Sequence, residues 1–189
     1  MSSSGERADA QLLARPVSPL AGRLIQQAEL DRAVFTPGTM GVAILDGARS
    51  RAIEPMIRLG RAEYLCLFSG KLTPRMEAAA AYAVRLEPGT TFTRELMSSM
   101  WGKAWGILAS VDENATMPEV RRHLRRFLRV GDEEGKTYYF RFYDPRVLRA
   151  YVPTCTNAEF AAFLGPMKRV IAETGSAGSE GLVFERAWA

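Results

Sequence analysis

Few residues in this chain have the types and spacing that catalysis requires. Its single histidine, His123, lies within Arg121-Arg122-His123-Leu124-Arg125-Arg126. Neighbouring guanidinium groups oppose protonation of an imidazole and repel a metal ion, so His123 reads as an exposed, non-catalytic histidine on a helix. No GxGxxG, GxxxxGK[ST] or GxSxG sequence occurs, which removes the phosphate-cradling loops and the nucleophile elbow. The carboxylates best placed for chemistry are Asp46, which ends the apolar run Gly41-Val42-Ala43-Ile44-Leu45, and Asp112-Glu113 at another strand end. Such ends host sites in α/β folds, and either would serve a hydrolase or a transferase. The competing expectations are a cap on the following helix for Asp46 and a solvated turn for Asp112-Glu113. Cys66 and Cys155 stand far apart, outside any CxxC pair, and read as buried, reduced thiols. The sequence thus predicts no catalytic residue, no cofactor and no metal.

Two charged groups read instead as recognition or bracing. Arg121, Arg125 and Arg129 recur every four residues with Arg122 and Arg126 beside them, opposite Val120, Leu124, Phe127 and Leu128. That is a helix with one apolar and one cationic face. Like charges at this spacing repel by a few tenths of a kcal/mol per pair, so they call for local carboxylates, an acidic protein partner or, third, nucleic acid. The aromatic interleaving of a base-reading surface is missing. The second group ends Tyr138-Tyr139-Phe140-Arg141-Phe142-Tyr143-Asp144-Pro145-Arg146. The aromatic run predicts a strand that stops at the proline. Arg141, Asp144 and Arg146 are predicted to form an internal clamp at the strand-to-helix corner. Arg141 and Arg146 are also candidates for partner contact.

The elements that must position these groups follow from periodicity and punctuation. With 189 residues, 47% apolar and 24% charged, net charge +4, the chain is predicted to form one domain with a real core. Its cations are mostly arginine, the better partner for planar pairing with carboxylates. Residues 1–17 are polar and broken by Pro16, predicting a flexible tail. Residues 18–167 are predicted to be the α/β domain, and 168–189 a short extension closing as a hairpin. Helices are predicted at 19–34, 48–59, 93–105, 116–130, 146–151 and 157–164, the last capped by Asn157. Strands are predicted at 41–46, 62–68, 80–86, 106–111 and 137–143. Alternating strands and helices predict a layered mixed β-sheet flanked by helices. No apolar run approaches the roughly 20 residues of a membrane span. The N-terminal residues lack the apolar core of a signal peptide, so a cytoplasmic location is expected.

A series of landmarks runs in order along the chain: Val42-Ala43-Ile44-Leu45-Asp46-Gly47-Ala48, Leu67-Phe68-Ser69-Gly70, Tyr82-Ala83-Val84-Arg85-Leu86, Trp101-Gly102 and Trp105-Gly106-Ile107-Leu108. His123-Leu124-Arg125, Arg141-Phe142-Tyr143-Asp144-Pro145-Arg146-Val147-Leu148 and Phe163-Leu164-Gly165-Pro166 follow. Together they resemble a known family, the adaptor or effector-chaperone proteins of bacterial type VI secretion, whose hallmark domain was long labelled only as one of unknown function. Where the family often has Ala-Pro before its third strand, this chain reads Ala78-Ala79-Ala80-Ala81. The resemblance implies a cytoplasmic, non-enzymatic adaptor. Its partners would be a toxic effector and the valine-glycine repeat (VgrG) spike protein, with no nucleic acid and no membrane. The residues offered for that contact are Arg121, Arg122, Arg125, Arg126, Arg129, Arg141 and Arg146.

Overall fold

The computed structural model describes residue 20, residues 22–175 and residues 180–186. The predicted tail at 1–17 therefore lies outside the described residues. Among the described residues there are nine strands: β1 (Arg23–Gln26), β2 (Thr39–Asp46), β3 (Tyr64–Cys66), β4 (Ala81–Leu86), β5 (Gly106–Asp112), β6 (Arg129–Gly131), β7 (Thr137–Tyr139), β8 (Met167–Glu173) and β9 (Glu180–Glu185). The α-helices are α1 (Leu30–Val34), α2 (Ile53–Leu59), α3 (Pro74–Ala78), α4 (Thr91–Met100), α5 (Met117–Arg125), α6 (Pro145–Tyr151) and α7 (Asn157–Leu164). Seven strands form one sheet in the order β1-β9-β8-β5-β2-β4-β3, while β6 and β7 form a separate two-stranded ribbon.

β2 explains the architecture. All but its first residue are buried, and successive side chains of a strand point to opposite faces. Val42 and Ile44 join one core with Val120 and Leu124 of α5, Leu148 of α6 and Phe160 and Phe163 of α7. Ala43 and Leu45 join the other, with Val34 of α1, Ile53 and Ile57 of α2 and Leu96, Met97 and Met100 of α4. The near-continuous apolar run at Gly41–Leu45 is thus the mark of a strand covered on both sides.

The layered α/β architecture and closing hairpin agree with the sequence reading, but every strand pairing among the described residues is antiparallel. Alternating strands and helices imply parallel crossovers, and these exist in split form. β2 and β3 run in the same direction, yet β4 lies between them and pairs with both. β4 and β5 are likewise separated by β2. A returning strand in each gap turns an expected mixed ladder into an antiparallel one.

Several local expectations change. The helix predicted over 19–34 is mostly replaced by β1, which pairs with β9, a tight turn at Gln27–Glu29 and the short α1. Ser110 of β5 fixes α1 from within the core, its hydroxyl donating to the carbonyls of Ala33 (3.0 Å) and Val34 (2.5 Å). The cap of α7 is Thr156, whose hydroxyl accepts from the Glu159 N–H at 3.2 Å while Glu159 Oε2 accepts from the Thr156 N–H at 2.7 Å. Asn157 is the first residue inside the helix. Glycine is required at the start of β5, where a Cβ on Gly106 would overlap the Ile44 carbonyl oxygen and lie 2.9 Å from the Leu45 Cα. Backbone cannot yield there as a side chain does. We expect Gly106→Ala to destabilise the fold by about 2–3 kcal/mol, measured by urea unfolding; an unchanged midpoint would show that β2 and β5 separate freely.

Candidate interaction surface

The strand predicted over 137–143 ends early. β7 stops at Tyr139, and the chain turns, the Asp144 N–H donating to the Arg141 carbonyl at 2.9 Å, before Asp144 caps α6. This divides the aromatic run by destination. Tyr138 and Tyr139 are exposed on the ribbon, whereas Phe142 and Tyr143 are buried. Phe140 packs against Tyr151 at a ring separation of 4.8 Å, and Phe142 meets Phe163 at 5.6 Å.

The predicted clamp of Arg141, Asp144 and Arg146 is two separate pairs. Arg146 holds Asp144 bidentately, with Nε to Oδ1 at 2.9 Å and Nη2 to Oδ2 at 2.5 Å. The Arg141 guanidinium pairs instead with Asp46, across the domain at the end of β2. Asp46 also accepts from the Ala48 N–H at 3.1 Å, capping the turn at Gly47–Arg49. The sequence reading missed this pairing because nothing local relates residues 95 positions apart. Burial pushes the Asp144 carboxyl up, but the hydrogen bonds and charge of Arg146 outweigh it and hold it below the usual carboxylate range. The hydrogen bond to Asp46 strengthens the hold of Arg141 on its proton.

A third buried carboxylate, Glu173, sits at the matching end of β8. It accepts from the N–H groups of Gly102 (2.5 Å) and Ala104 (2.8 Å). Ala104 has φ 52, a left-handed conformation that costs a non-glycine residue about 1 kcal/mol. The Arg49 Nε donates to the Ala104 carbonyl at 3.2 Å, and Arg149 donates to the Glu173 carbonyl. Burial raises the Glu173 carboxyl despite these donors. Sequence gave one weak signal for it, a lone carboxylate closing an apolar strand.

The five arginines around α5 separate in the same way. Arg121 lies across the outer edge of β3, where Nε donates to the Cys66 carbonyl (2.6 Å) and Nη2 to the Phe68 carbonyl (3.3 Å). It blocks the free edge of the sheet, where another strand would otherwise pair. Arg122 is exposed and reaches Glu119 at 3.9 Å. Arg126 donates to His123, Arg129 lies over the Tyr139 ring at 5.9 Å, and Arg125 projects to solvent. Arg125, Arg126 and Arg129 line a groove of about 330 Å³ with Phe68, Leu128 and Tyr139.

His123 is buried, contrary to the exposed position expected of it. It faces the core side of α5 and packs on Gly165, whose added Cβ would strike the ring. Its Nε2–H donates to the Phe163 carbonyl at 2.7 Å, and Nδ1 accepts from Arg126 Nη2 at 2.8 Å. A carbonyl only accepts and a guanidinium only donates, so the ring is neutral and of one tautomer. Burial lowers its pKa below 6.5, and the Arg126 charge adds to this against the Phe163 hydrogen bond.

An open cleft of about 710 Å³ lies nearby, lined by Asp112, Glu119, Arg122, His123, Arg126 and others. Asp112, exposed in part, is held down to about 2 by the Lys168 ammonium (2.6 Å) and by Asn114. Both nitrogens of His123 are committed to partners. Neither group is free to move a proton. Cys66 and Cys155 are free thiols, each partly exposed, and burial raises both. Among the described residues, no cluster of three or more His, Cys, Asp or Glu side chains converges as a metal site.

A family model described as Domain of unknown function (DUF4123) matches residues 43–162. No curated protein and no solved structure matches the chain.

Two predictions follow from the geometry. Arg141→Ala leaves the Asp46 carboxylate buried and uncompensated, whereas Asp46→Ala leaves a partly exposed arginine that reaches water. We expect a loss near 3 kcal/mol for Arg141→Ala and a clearly smaller loss for Asp46→Ala; equal losses would contradict the asymmetry. His123 is the chain's only histidine, and its pKa is lower folded than unfolded. Its contribution is fully present above pH 6.5 and is lost as pH falls through 6.5 towards the folded value. Glu173, raised by burial, opposes this trend in acid. The comparison with His123→Gln isolates the histidine, and the variant should lose less stability than the parent between neutral and mildly acidic pH.

Proposed function

The chain belongs to the DUF4123 family, whose model spans well over half of it, and on that premise we propose that it is a non-enzymatic adaptor of type VI secretion. It holds a toxic effector in the cytoplasm and helps load it onto the VgrG spike without travelling with the cargo. The observation that carries this reading is the exposed face formed by the β6–β7 ribbon and the outer side of α5. Val130, Tyr138 and Tyr139 are exposed there, beside the groove arginines Arg125, Arg126 and Arg129, which meet no described carboxylate. Transient protein interfaces are built from such aromatic anchors with arginine.

The alternative of a hydrolase or transferase at strand-end carboxylates has less support. Asp46 is 1% exposed and engaged by Arg141 and Ala48, so a substrate has no approach to it. Asp112 is held by Lys168 and Asn114, and no helper base stands free beside either. The sheet-end arginines Arg141 and Arg146 serve these internal pairs, which makes them poorer candidates for cargo contact than Arg125, Arg126 and Arg129. Of the membrane, the described residues contribute only that none of their helices is long and apolar enough to cross one.

Co-expression with the products of neighbouring genes, followed by affinity purification, tests the proposal. A stable complex with one candidate effector, and an effector secretion defect on deletion of this gene, are the expected results. Failure to retain any neighbouring product, together with normal secretion on deletion, would reject the adaptor reading.

A further inference from the structure

The groove beside α5 concentrates positive charge that no described carboxylate neutralises. Arg126 spends one nitrogen on His123, and the other two basic residues of this surface have contacts outside the groove. Arg121 blocks the β3 edge, and Arg122 stands near Glu119. Arg125, Arg126 and Arg129 form no ion pair with any described carboxylate. They stand over a floor of Phe68, Leu128 and Tyr139, where Phe68 and Tyr139 meet at a ring separation of 5.6 Å. Three like charges on one side of a small groove repel one another. An occupant bearing carboxylates would relieve that repulsion, while an apolar side chain would displace water from the ring-lined floor.

The geometry points to a docking groove for an acidic protein segment, with Asp or Glu residues flanking an aliphatic or aromatic anchor. The carboxylates pair with Arg125, Arg126 and Arg129, planar forks suited to bidentate contact. The anchor rests on Phe68 and Tyr139. This deepens the adaptor reading and rests on it for the occupant being a protein. Nucleic acid fits the same charge less well. The ribbon that carries Arg129 also carries Asp132, Glu133 and Glu134 at its exposed tip, which would repel a phosphate backbone continuing past the groove, whereas a protein segment needs carboxylates only beside the arginines.

The test uses the purified full chain and a fluorescein-labelled peptide of alternating Glu and Leu with a central Phe. The same peptide with Gln for Glu, and a labelled oligothymidine of equal length, serve as comparisons. We expect the acidic peptide to bind, the neutral peptide and the oligonucleotide to bind at least about tenfold more weakly, and added salt to weaken the complex. The double variant R125E/R129E should lose acidic-peptide binding by about tenfold or more with an unchanged melting temperature. Tyr139→Ala, which keeps every charge, should weaken the Phe-bearing peptide but leave a peptide with Ala in its place unaffected. Equal binding of the neutral peptide, preference for the oligonucleotide, or full retention by R125E/R129E would overturn the inference. So would a change in oligomeric state on charge reversal with no change in peptide affinity, since the groove would then serve a second copy of the chain. An effector complex that survives R125E/R129E would remove this groove and leave the adaptor reading intact. Peptide binding in a protein that retains no effector would do the reverse.

Discussion

A sheet covered by helices on both faces leaves its charged groups water only at the strand ends, and the charged residues of this chain are arranged around that constraint. β2 sits in the interior of the sheet and ends in Asp46, 1% exposed. A carboxylate buried there persists only if a cation and donors replace its lost hydration. Arg141 supplies the cation and the Ala48 N–H a further donor. The pair therefore fixes where the chain runs after the β6–β7 ribbon, and with it the start of α6. Asp144 and Glu173 repeat the solution with Arg146 and with the N–H groups of Gly102 and Ala104. The strained turn between α4 and β5 is held by the same means.

The consequence is a division between arginines that hold the fold together and arginines that do not. Arg121, Arg141, Arg146 and Arg149 each donate to a carboxylate or carbonyl within the domain. Arg125 and Arg129 lie on the outer face beside exposed tyrosines. The short landmarks that carry the family resemblance fall mostly in the first group. Asp46 meets Arg141, the Trp101-Gly102 turn meets Glu173, and His123 packs against Gly165. They mark the points where distant parts of the chain must touch for the sheet to close, which is a requirement of folding. Arg125 and Arg129 on the groove face form no such internal pair with a described carboxylate.

Much of the fold was legible because burial imposes period and punctuation locally. β2, β4, β5, α6, α7 and the closing hairpin lie close to where apolar runs, Pro145 and Gly165-Pro166 placed them. The misreadings share one cause. The segment 19–34 has apolar residues near helical spacing, yet pairing with β9 gives backbone partners to residues 23–26 that an isolated helix would have had to supply itself. The strand at 137–143 ends at Tyr139 because the aromatic residues after it are drawn to Tyr151 and Phe163. His123, read as exposed among arginines, is buried because α5 turns it towards Phe163 and Gly165.

By itself the sequence determined the fold class, the doubly covered central strand, and a chain poor in catalytic groups. These depend on interactions within a few residues or on a pattern of burial repeated along one element. Only the tertiary structure decided which arginine answers which carboxylate, that Arg121 blocks a sheet edge, and that the tyrosines at 138 and 139 face outward while the phenylalanine at 142 faces in. Electrostatic pairing depends on distance in space rather than along the chain. Residues as far apart as Asp46 and Arg141 meet only once the sheet between them has formed.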